Sequence, residues 1–464
     1  MRIGIIGAGP GGYVCAIRAA QLEAEVFLIE EDKIGGTCLN KGCIPTKTYF
    51  KNAEILNELK RSEDFGISVE NYSMSMAKLY ERKENVVATL VTGIEQILSS
   101  YKNIKVIKGK GKILNGNSIE LETADEKYEL NVDKIVIATG SKTFVPKIEG
   151  VDGKRVLTST ELLELKEVPK SLVIVGGGVI GLEFASIFSE FGTDITIFTE
   201  EILLNADGEM KKRLSVLLKK QGIKIVTDVR VEKFETKDGC VEVSAKSLKK
   251  EKIHTAEGEY ALVAIGRSPN LEGFGLENLN LNTTKKGIVV DENCETSIKG
   301  VYAIGDVNGI SQLAHAASFQ GECVAEHIMG VTKKRNKDIV PACVFTLTEL
   351  SQVGATEEEL KEKGAQYIVS KFNFAANGKS LSMGNKDGFV KVLASKDGKI
   401  LGVHILGPHA NDLIEEAAIC MANDLTVDDV TATIHPHPTL SESFSEACAG
   451  VLGEGIHTLN LNRQ

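Results

Sequence analysis

The sequence predicts an α/β protein with two repeated parallel units and a C-terminal α+β unit. The order strand, glycine-rich loop, helix, strand occurs twice, beginning at Ile3 and at Leu172. Each copy is followed by a buried strand that ends in Ala-x-Gly, at 138–140 and at 264–266. From about residue 341 the pattern changes and the glycine loop does not recur. We therefore predict two Rossmann-like dinucleotide-binding domains and a third domain of another kind.

Length, charge and cysteine content limit the class of protein. A chain of 464 residues suits about three domains of ~150 residues. The net charge of −10 argues against nucleic acid and against an anionic membrane surface, and no apolar run reaches the ~18 residues that a membrane span needs. The first strand begins at Arg2, which leaves no room for a signal peptide, and nine cysteines without framework spacing fit a reducing compartment. We expect a cytoplasmic protein that binds neither nucleic acid nor membrane.

The first glycine loop has the dinucleotide fingerprint in its required setting. Gly7, Gly9 and Gly12 form G-x-G-x-x-G directly after the predicted strand Ile3–Ile6, and a second strand ends in Glu30, eighteen residues after Gly12. The glycines allow a tight turn and close approach of the backbone to a pyrophosphate, and the acid can bind a ribose hydroxyl. A glycine-rich turn alone could be only a turn, but the full pattern favours nucleotide binding.

Two cysteines follow in a glycine-bracketed loop. Cys38 and Cys43 lie five residues apart, and Pro45 suits the first turn of a helix whose dipole would point at the sulfurs. Lys41 and Lys47 add positive charge, so we expect a thiolate and, as a hypothesis, a pKa lowered by Lys41. A structural zinc half-site or two buried cysteines is the alternative. Zinc ligands usually come in two short-spaced pairs, whereas the other cysteines are scattered singly, so the spacing favours a redox pair.

Between the two glycine loops the pattern predicts helices at Lys51–Lys60 and Met74–Ser100, and short strands over Lys105–Leu130. In the second helix apolar residues recur near helical spacing, which predicts a face that packs in the core. This apolar stripe consists of Leu79, Val86, Leu90, Ile94, Ile97 and Leu98.

The second fingerprint is formed by Gly176, Gly178 and Gly181 and is less regular. Eighteen residues after Gly181 is Thr199 rather than an acid, and Glu200 follows. We assign Glu200 to a ribose, with a solvated loop acid as the alternative. No arginine lies between residues 192 and 208, and this favours NAD over NADP.

An acid also follows a later strand. Asp306 ends the predicted strand from Ile298, where ligands bind in such sheets. The alternative is an N-cap for the segment after Ser311.

The C-terminal unit contains a candidate base. Strands are predicted at Phe389–Ala394 and Ile400–Leu406, and helices at 411–423 and 439–449. Between the helices His437 lies between two prolines, and a histidine suits proton transfer from thiols. Glu442 could orient it, although Thr439-x-x-Glu442 is also a capping box, and His437 could be a core histidine. The cysteine pair elsewhere makes catalysis the better interpretation.

Taken together, these motifs resemble those of the pyridine nucleotide–disulfide oxidoreductases over essentially the whole chain. The resemblance is carried by the motifs around Cys38 and Cys43 and around His437, by both fingerprints, and by Ala-Thr-Gly at 138–140, Ala-Ile-Gly-Arg-Ser-Pro-Asn at 264–270, Gly-Asp at 305–306 and Leu-Ala-His-Ala at 313–316. Lys41 and Thr46 depart from the usual motif. No lipoyl domain and no additional C-terminal cysteine pair is found.

The resemblance implies domains for FAD at 1–145 and 271–340, for NAD at 146–270, and for dimerisation at 341–464. It implies an ion pair of Lys47 with Glu183 beside the flavin, and catalysis by Cys38, Cys43, His437 and Glu442, with His437 acting on the other subunit's cysteines. The cofactor-binding residues that it adds to the two fingerprints, Glu30 and Glu200 are Gly36, Thr37, Lys47, Gly111, Ala138, Thr139, Gly140, Gly266, Asp306 and Ala314. No metal is expected.

The implied activity is oxidation of dihydrolipoyl groups on the carrier proteins of 2-oxoacid dehydrogenase or glycine cleavage complexes. Electrons would pass through a Cys38–Cys43 disulfide and FAD to NAD⁺, in a homodimer. Another NAD(P)H-dependent disulfide reductase of the same superfamily is the alternative. A non-catalytic flavin- or nucleotide-binding subunit is a further alternative, which the cysteine pair with its candidate base disfavours.

Overall fold

The computed structural model describes residues 1–151 and 154–458. It confirms the predicted α/β class, with two parallel sheets and a C-terminal α+β unit. Residues 152–153, and 459–464 at the end of the predicted third domain, lie outside the described residues. Among the described residues no helix has both the length and the apolar character needed to cross a bilayer.

The elements of the two parallel units follow each other in the chain. Those of the first are β1 (Arg2–Ile6), α1 (Pro10–Gln21), β2 (Glu25–Glu30), α2 (Gly36–Lys41), α3 (Cys43–Lys60), α4 (Met76–Ser100), β3 (Ile104–Lys108), β4 (Lys110–Asn115), β5 (Ser118–Glu122), β6 (Lys127–Asn131), β7 (Lys134–Ile137) and β8 (Ser141–Thr143). Those of the second are β9 (Val156–Leu157), α5 (Ser159–Leu162), β10 (Ser171–Gly177), α6 (Val179–Glu190), β11 (Asp194–Ile202), α7 (Gly208–Lys220), β12 (Lys224–Val226), β13 (Val229–Lys237), β14 (Cys240–Ser247), β15 (Ile253–Gly258), β16 (Tyr260–Val263) and β17 (Arg267–Pro269).

The chain then returns to the first unit and ends in the third. The returning elements are β18 (Thr283–Thr284), β19 (Gly287–Ile288), β20 (Val301–Ala303) and α8 (Ala314–Ile328). The third unit contains β21 (Ala342–Val344), β22 (Glu349–Gly354), α9 (Glu357–Glu362), β23 (Ile368–Asn373), α10 (Gly378–Ser382), β24 (Phe389–Ala394), β25 (Ile400–Gly407), α11 (Ala410–Ala422), α12 (Val427–Thr431) and α13 (Glu442–Val451). Short 3-10 helices lie at Ser62–Phe65, Leu276–Leu279, Gly305–Asn308 and Phe374–Ala376.

The two parallel sheets repeat one arrangement. Their strand orders are β20-β7-β1-β2-β3 and β9-β16-β10-β11-β12. In each, the strand before the glycine loop pairs in parallel with the strand that ends near the candidate ribose acid, and on its other side with the strand before Ala-x-Gly. These loops therefore share the carboxyl edge of their sheet, where ligands bind in such folds.

Two antiparallel sheets, β4-β5-β6 and β13-β14-β15, extend the two units, and β8 pairs with β17 between them. The third unit is an antiparallel sheet in the order β21-β22-β25-β24-β23. A buried ion cluster fixes it to the second unit, because Lys391 Nζ lies 3.0 Å from Asp207 Oδ2 and 2.7 Å from Glu357 Oε2. Lys391 and Asp207 are both almost completely buried.

Most predicted elements are found with shifted ends. Helix α1 begins at Pro10 because a proline in the first turn loses no backbone hydrogen bond. The predicted helix at 51–60 is the second half of α3, which begins at Cys43. The predicted core stripe of α4 is partly wrong. Leu79 and Leu98 are buried, but Leu90 and Ile97 lie on the exposed side, because the buried face runs through Met76, Leu79, Lys83 and Val87.

Candidate active site

One cavity of about 1450 Å³ is lined by both parallel units and by both cysteines of the predicted redox pair. The predicted cofactor-binding residues in its wall are Gly7, Gly9, Glu30, Gly36, Thr37, Lys47, Gly111, Ala138, Thr139, Gly140, Gly176, Gly178, Glu200, Gly266, Asp306 and Ala314. The last glycine of each fingerprint, Gly12 and Gly181, is not among them. A single space therefore joins the two glycine loops to the sulfurs.

Gly12 and Gly181 have a packing role instead. A Cβ at Gly12 would lie 1.8 Å from the Gly7 carbonyl oxygen, and one at Gly181 would lie 2.2 Å from that of Gly176. Only glycine lets α1 and α6 pack this closely against the turn that precedes them. The first glycine of each loop also has a positive φ, 102° at Gly7 and 118° at Gly176, which favours glycine.

Two acids approach the first nucleotide loop. Glu30 accepts the Ala8 N–H at Oε2 and the Asp32 N–H at Oε1, both at 2.7 Å. These bonds fix the carboxylate at the carboxyl end of β2 and leave it lone pairs for ribose hydroxyls.

Asp306 lies in the 3-10 helix Gly305–Asn308 that follows β20, where its Oδ2 accepts a hydrogen bond from Ser141 Oγ. Arg267 Nε donates to Ser141 Oγ at 2.7 Å. The alternative N-cap role for Asp306 is wrong, because α8 begins at Ala314 after Leu313. Ser141 and Arg267 are not among the predicted site residues, although each directly follows an Ala-x-Gly turn.

The segment that carries Cys38 and Cys43, predicted as a loop, is mostly helical, and it lies against the first fingerprint. A Cβ at Gly36 would lie 2.7 Å from Gly9 Cα, so glycine is required at this contact. Cys38 lies in the short helix α2, and Cys43 is the first residue of α3, with Gly42 between the helices. The free N–H groups at the start of an 18-residue helix therefore surround Cys43.

The two cysteines are free thiols and differ strongly in acidity. Their mutual hydrogen bond lowers the pKa of Cys43 to about 7 and raises the pKa of Cys38 well above its ordinary value. Burial opposes the lowering at Cys43, and the charge of Lys47 favours it. Above the pKa of Cys43 the pair therefore keeps one proton, which resides mainly on Cys38.

Lys47 lies one helical turn after Cys43. Its Nζ is 2.8 Å from Oε2 and 3.0 Å from Oε1 of Glu183, a residue of α6 that is almost completely buried. Glu183 Oε1 also accepts the Phe345 N–H at 3.0 Å, and Lys47 Nζ lies 4.4 Å from the centre of the Phe345 ring. By contrast, Lys41 Nζ lies 2.5 Å from Asp32 Oδ2, so its charge is shared with an acid.

The histidine is placed apart from the cysteines within one chain. His437 Nδ1 lies 2.9 Å from Glu442 Oε1, and the Thr439 N–H donates to Glu442 Oε2 at 2.8 Å. Glu442 thus orients His437 and also makes half of the alternative capping box. Burial raises the pKa of the Glu442 carboxyl, but the hydrogen bonds with Thr439 and His437 lower it more, so the pKa lies below the ordinary value.

His437 is 77% exposed, so the alternative of a core histidine is wrong. Within the described part of the chain the cavity wall includes neither His437 nor Glu442. The neighbouring His435 is instead fixed by Glu416 at 2.8 Å. In residues 1–151 and 154–458 no cluster of three or more His, Cys, Asp or Glu side chains could hold a metal ion.

Glu200 lies at the rim of the second nucleotide loop. Its Oε1 accepts a hydrogen bond from Arg230 Nε at 2.7 Å. Arg230 lies outside residues 192–208, the segment whose lack of arginine favours NAD. It belongs to β13, and α7 and β12 separate it from Glu200 in the chain.

Family models match both parts of this architecture. The pyridine nucleotide-disulphide oxidoreductase model covers residues 1–321, and the model of the dimerisation domain of the same family covers residues 340–448. The chain therefore belongs to the pyridine nucleotide-disulphide oxidoreductase family.

Individual relatives cover nearly the whole chain. A dihydrolipoyl dehydrogenase of Bacillus subtilis is 41% identical over 98% of this chain and 98% of its own length. Among solved structures, LpdA from Mycobacterium tuberculosis has a TM-score of 0.90 at 28% identity and covers 97% of this chain and 99% of that chain. RclA from Escherichia coli, a HOCl-induced flavoprotein disulfide reductase, has a TM-score of 0.85 at 30% identity, with 97% and 99% covered.

Proposed function

We propose that this chain is a dihydrolipoyl dehydrogenase that oxidises protein-bound dihydrolipoamide and passes the electrons to NAD⁺. The observation that carries the proposal is the cavity in which an acidic and a non-acidic thiol meet two nucleotide loops. The 41% identity to a dihydrolipoyl dehydrogenase over almost the full length supports the choice of substrate.

The cavity fits two nucleotide cofactors, FAD at the first loop and NAD at the second. A Cβ at Gly7 or Gly176 would lie 2.3 Å from a carbonyl oxygen of the facing Ala-x-Gly turn, so both loops keep the close backbone spacing that a pyrophosphate needs. Glu30 and Asp306 would hold the FAD ribose and ribityl hydroxyls, with the Ala-x-Gly turn at 138–140 beside them. A bound FAD would supply two-electron chemistry, by which the electron pair of the reduced cysteines could reach NAD⁺ as a hydride.

The chemistry of the chain itself begins with the disulfide form of Cys38 and Cys43. His437 Nε2 removes a proton from one substrate thiol, and the resulting thiolate attacks Cys38 Sγ. The Cys38–Cys43 bond breaks, and Cys43 leaves as a thiolate. The second substrate thiol then attacks the substrate sulfur of the mixed disulfide, the bond from that sulfur to Cys38 breaks, and Cys38 takes up the proton of the second thiol. The substrate leaves as a cyclic disulfide, and the cysteine pair, now a Cys38 thiol and a Cys43 thiolate, has gained two electrons.

The surroundings of Cys43 favour this direction of attack. A thiol that is more stable as a thiolate leaves faster, and the charge of Lys47 and the start of α3 both stabilise the Cys43 thiolate. Cys43 is therefore the better leaving group, and Cys38 forms the mixed disulfide.

The dimer supplies the base. The C-terminal unit belongs to the dimerisation domain family, and the chain acts as a homodimer. Because His437 is exposed and does not contribute to its own cavity wall, we assign it to the partner's cysteines. Glu442 holds Nδ1 and leaves Nε2 to accept the substrate proton.

The substrates are dihydrolipoyl groups on the carrier proteins of 2-oxoacid dehydrogenase or glycine cleavage complexes, and the enzyme works in the cytoplasm. The seven cysteines outside the redox pair are all free thiols, which suits a reducing compartment. Another NAD(P)H-dependent disulfide reductase is the second candidate, favoured by the likeness to the disulfide reductase RclA.

Steady-state turnover distinguishes the two candidates. The FAD-loaded dimer is assayed with dihydrolipoamide and NAD⁺, with dihydrolipoamide and NADP⁺, and in reverse with NADPH and a panel of disulfides. We expect efficient turnover with dihydrolipoamide and NAD⁺. Negligible dihydrolipoamide oxidation together with rapid NADPH-dependent reduction of another disulfide would replace the proposal with the second candidate.

A further inference from the structure

In each parallel unit, a side chain from the next strand along the chain accepts the N–H of the second residue of the glycine loop, but the accepting residue differs between the two units. In the first unit Glu30 accepts the N–H of Ala8, the second residue of its glycine loop, at 2.7 Å. In the second unit Thr199 Oγ1 accepts the N–H of Gly177, the second residue of its loop, at 3.0 Å. Both residues lie eighteen positions after the last glycine of their fingerprint. Thr199 is therefore the structural counterpart of Glu30.

Thr199 cannot replace a ribose-binding carboxylate. Its hydroxyl is buried and also donates to the Glu201 carbonyl at 2.7 Å. The carboxylate function must come from a neighbour. Glu200 and Glu201 both line the cavity, and each pairs with one cation. Lys211, the partner of Glu201, does not line the cavity, whereas Arg230, the partner of Glu200, does.

Glu200 and Arg230 form an isolated pair at the rim. Arg230 Nε and Nη2 both lie 2.7 Å from Glu200 Oε1, and both side chains are more than half exposed and line the cavity. Within the described residues no group hydrogen bonds to Glu200 Oε2, and no other acid contacts Arg230. The Asp228 N–H donates to the Glu200 carbonyl at 3.0 Å and ties the two segments together.

We propose that Glu200 and Arg230 together determine whether this chain binds NAD(H) or NADP(H). This inference rests on the proposed function, which places NAD at the second loop. Glu200 Oε2 accepts the ribose 2′-hydroxyl, while Arg230 holds the carboxylate through Oε1. A 2′-phosphate is rejected by the charge of Glu200, although a guanidinium suited to phosphate lies beside it. Selectivity therefore depends on one negative charge, and its removal frees Arg230 for a phosphate.

Binding of nucleotide fragments to the FAD-loaded dimer tests this without turnover. Calorimetry measures the dissociation constants of ADP-ribose and of its 2′-phosphate for the wild type, E200Q, R230Q and the double variant. We expect the wild type to prefer ADP-ribose. E200Q should bind the 2′-phosphate about tenfold more tightly or better, the scale of one charge-assisted hydrogen bond. The double variant should lose that gain.

Lys249 provides a matched control, because it is an exposed cation that pairs with Asp228 at 2.8 Å rather than with Glu200. K249Q should leave both constants unchanged. Unchanged constants in E200Q, or a gain that survives in the double variant, would overturn the inference. Failure of the wild type to oxidise dihydrolipoamide would overturn only the proposed function, since these binding constants are measured without the dithiol.

Discussion

Lys47 Nζ lies 2.8 Å from Glu183 Oε2, so the helix that begins with Cys43 is joined to the first helix of the second nucleotide unit. Lys47 is also the cation whose charge lowers the pKa of Cys43. The group that favours the thiolate is thus held by a residue beside the other nucleotide loop. The Lys47–Glu183 contact therefore connects the cysteine pair, where electrons enter, to the helix that follows the second nucleotide loop.

The first prediction concerns Lys47→Met. Since the charge of Lys47 helps to lower the pKa of Cys43 in the dithiol form, its removal should raise that pKa and move formation of the Cys43 thiolate to higher pH. At a fixed pH below both pKa values, each tenfold weakening of the Cys43 acid lowers the thiolate fraction about tenfold. The measurement is the pH profile of thiolate absorbance in the reduced, dithiol form of the enzyme.

Lys60→Met is the matched control for this variant. Lys60 lies in the same helix and makes an equivalent bridge to α6, with its Nζ 2.8 Å from Glu190 Oε2. This variant should keep the wild-type pH profile. If the two variants shift the profile equally, the effect comes from helix packing and not from the charge beside Cys43.

The second prediction is that Cys43→Ser binds FAD normally but loses dithiol-linked turnover. A serine cannot close the disulfide or leave as a thiolate, whereas the nucleotide loop is unchanged. Flavin content and dihydrolipoamide oxidation are measured side by side. Cys240→Ser, in the hairpin of β13 and β14, is the control and should retain full activity. Normal turnover of Cys43→Ser would remove the pair from the mechanism.

Local spacing was sufficient to predict both glycine loops, their strands and the paired cysteines, because these features depend on residues adjacent in the chain. The Lys47–Glu183 contact was implied only by resemblance, since 136 positions separate the two residues. The Ser141–Asp306 bond, across 165 positions, and the partner of Glu200 in a later strand were not predicted. These pairs are set by how the two sheets meet, which no local pattern contains.

Hydrophobic periodicity predicted the buried face of α4 only in part. Its apolar residues suggest one stripe, but Leu90 and Ile97 are exposed and Lys83 is buried. Lys83 is tolerated inside because its Nζ lies 2.9 Å from Glu164 and 4.0 Å from the centre of the Tyr80 ring. A charged residue with such partners can take a core position that hydrophobicity alone would assign to a neighbour.

The third prediction concerns His437→Gln. Loss of a general base should slow thiol oxidation by ~10²- to 10⁴-fold, with flavin content and the dimer unchanged. Rapid-reaction kinetics of reduction by dihydrolipoamide measure this step. His457→Gln is the control, because His457 is an exposed histidine that forms a similar contact with Glu446 at 2.7 Å. An unchanged rate in His437→Gln would reassign His437 to a structural role.

The fourth prediction tests whether a change in the second glycine loop impairs the use of NAD⁺ without affecting FAD binding at the first loop. In Gly181→Ala a Cβ would lie 2.2 Å from the Gly176 carbonyl oxygen, so α6 must shift. We expect kcat/KM for NAD⁺ to fall on the order of 10²-fold, the scale of a displacement of about 1 Å. FAD content should remain normal because the first loop is untouched.

Gly93→Ala serves as the comparison for Gly181→Ala, because a Cβ at this position in α4 meets no atom within 4 Å. It should raise the free energy of unfolding by about 0.5–1 kcal/mol, since glycine weakens a helix interior. Equal loss of NAD⁺ turnover in both variants would contradict the packing argument.

Anaerobic titration of the FAD-loaded dimer with dihydrolipoamide, followed by absorbance, tests the central claim most directly. That claim is that Cys38 and Cys43 form a reversible two-electron store beside the flavin. One equivalent of dihydrolipoamide should produce a long-wavelength charge-transfer band between the Cys43 thiolate and oxidised flavin, and the band should be absent from Cys43→Ser. A flavin spectrum that is unchanged by dihydrolipoamide, or the same band in Cys43→Ser, would contradict the account.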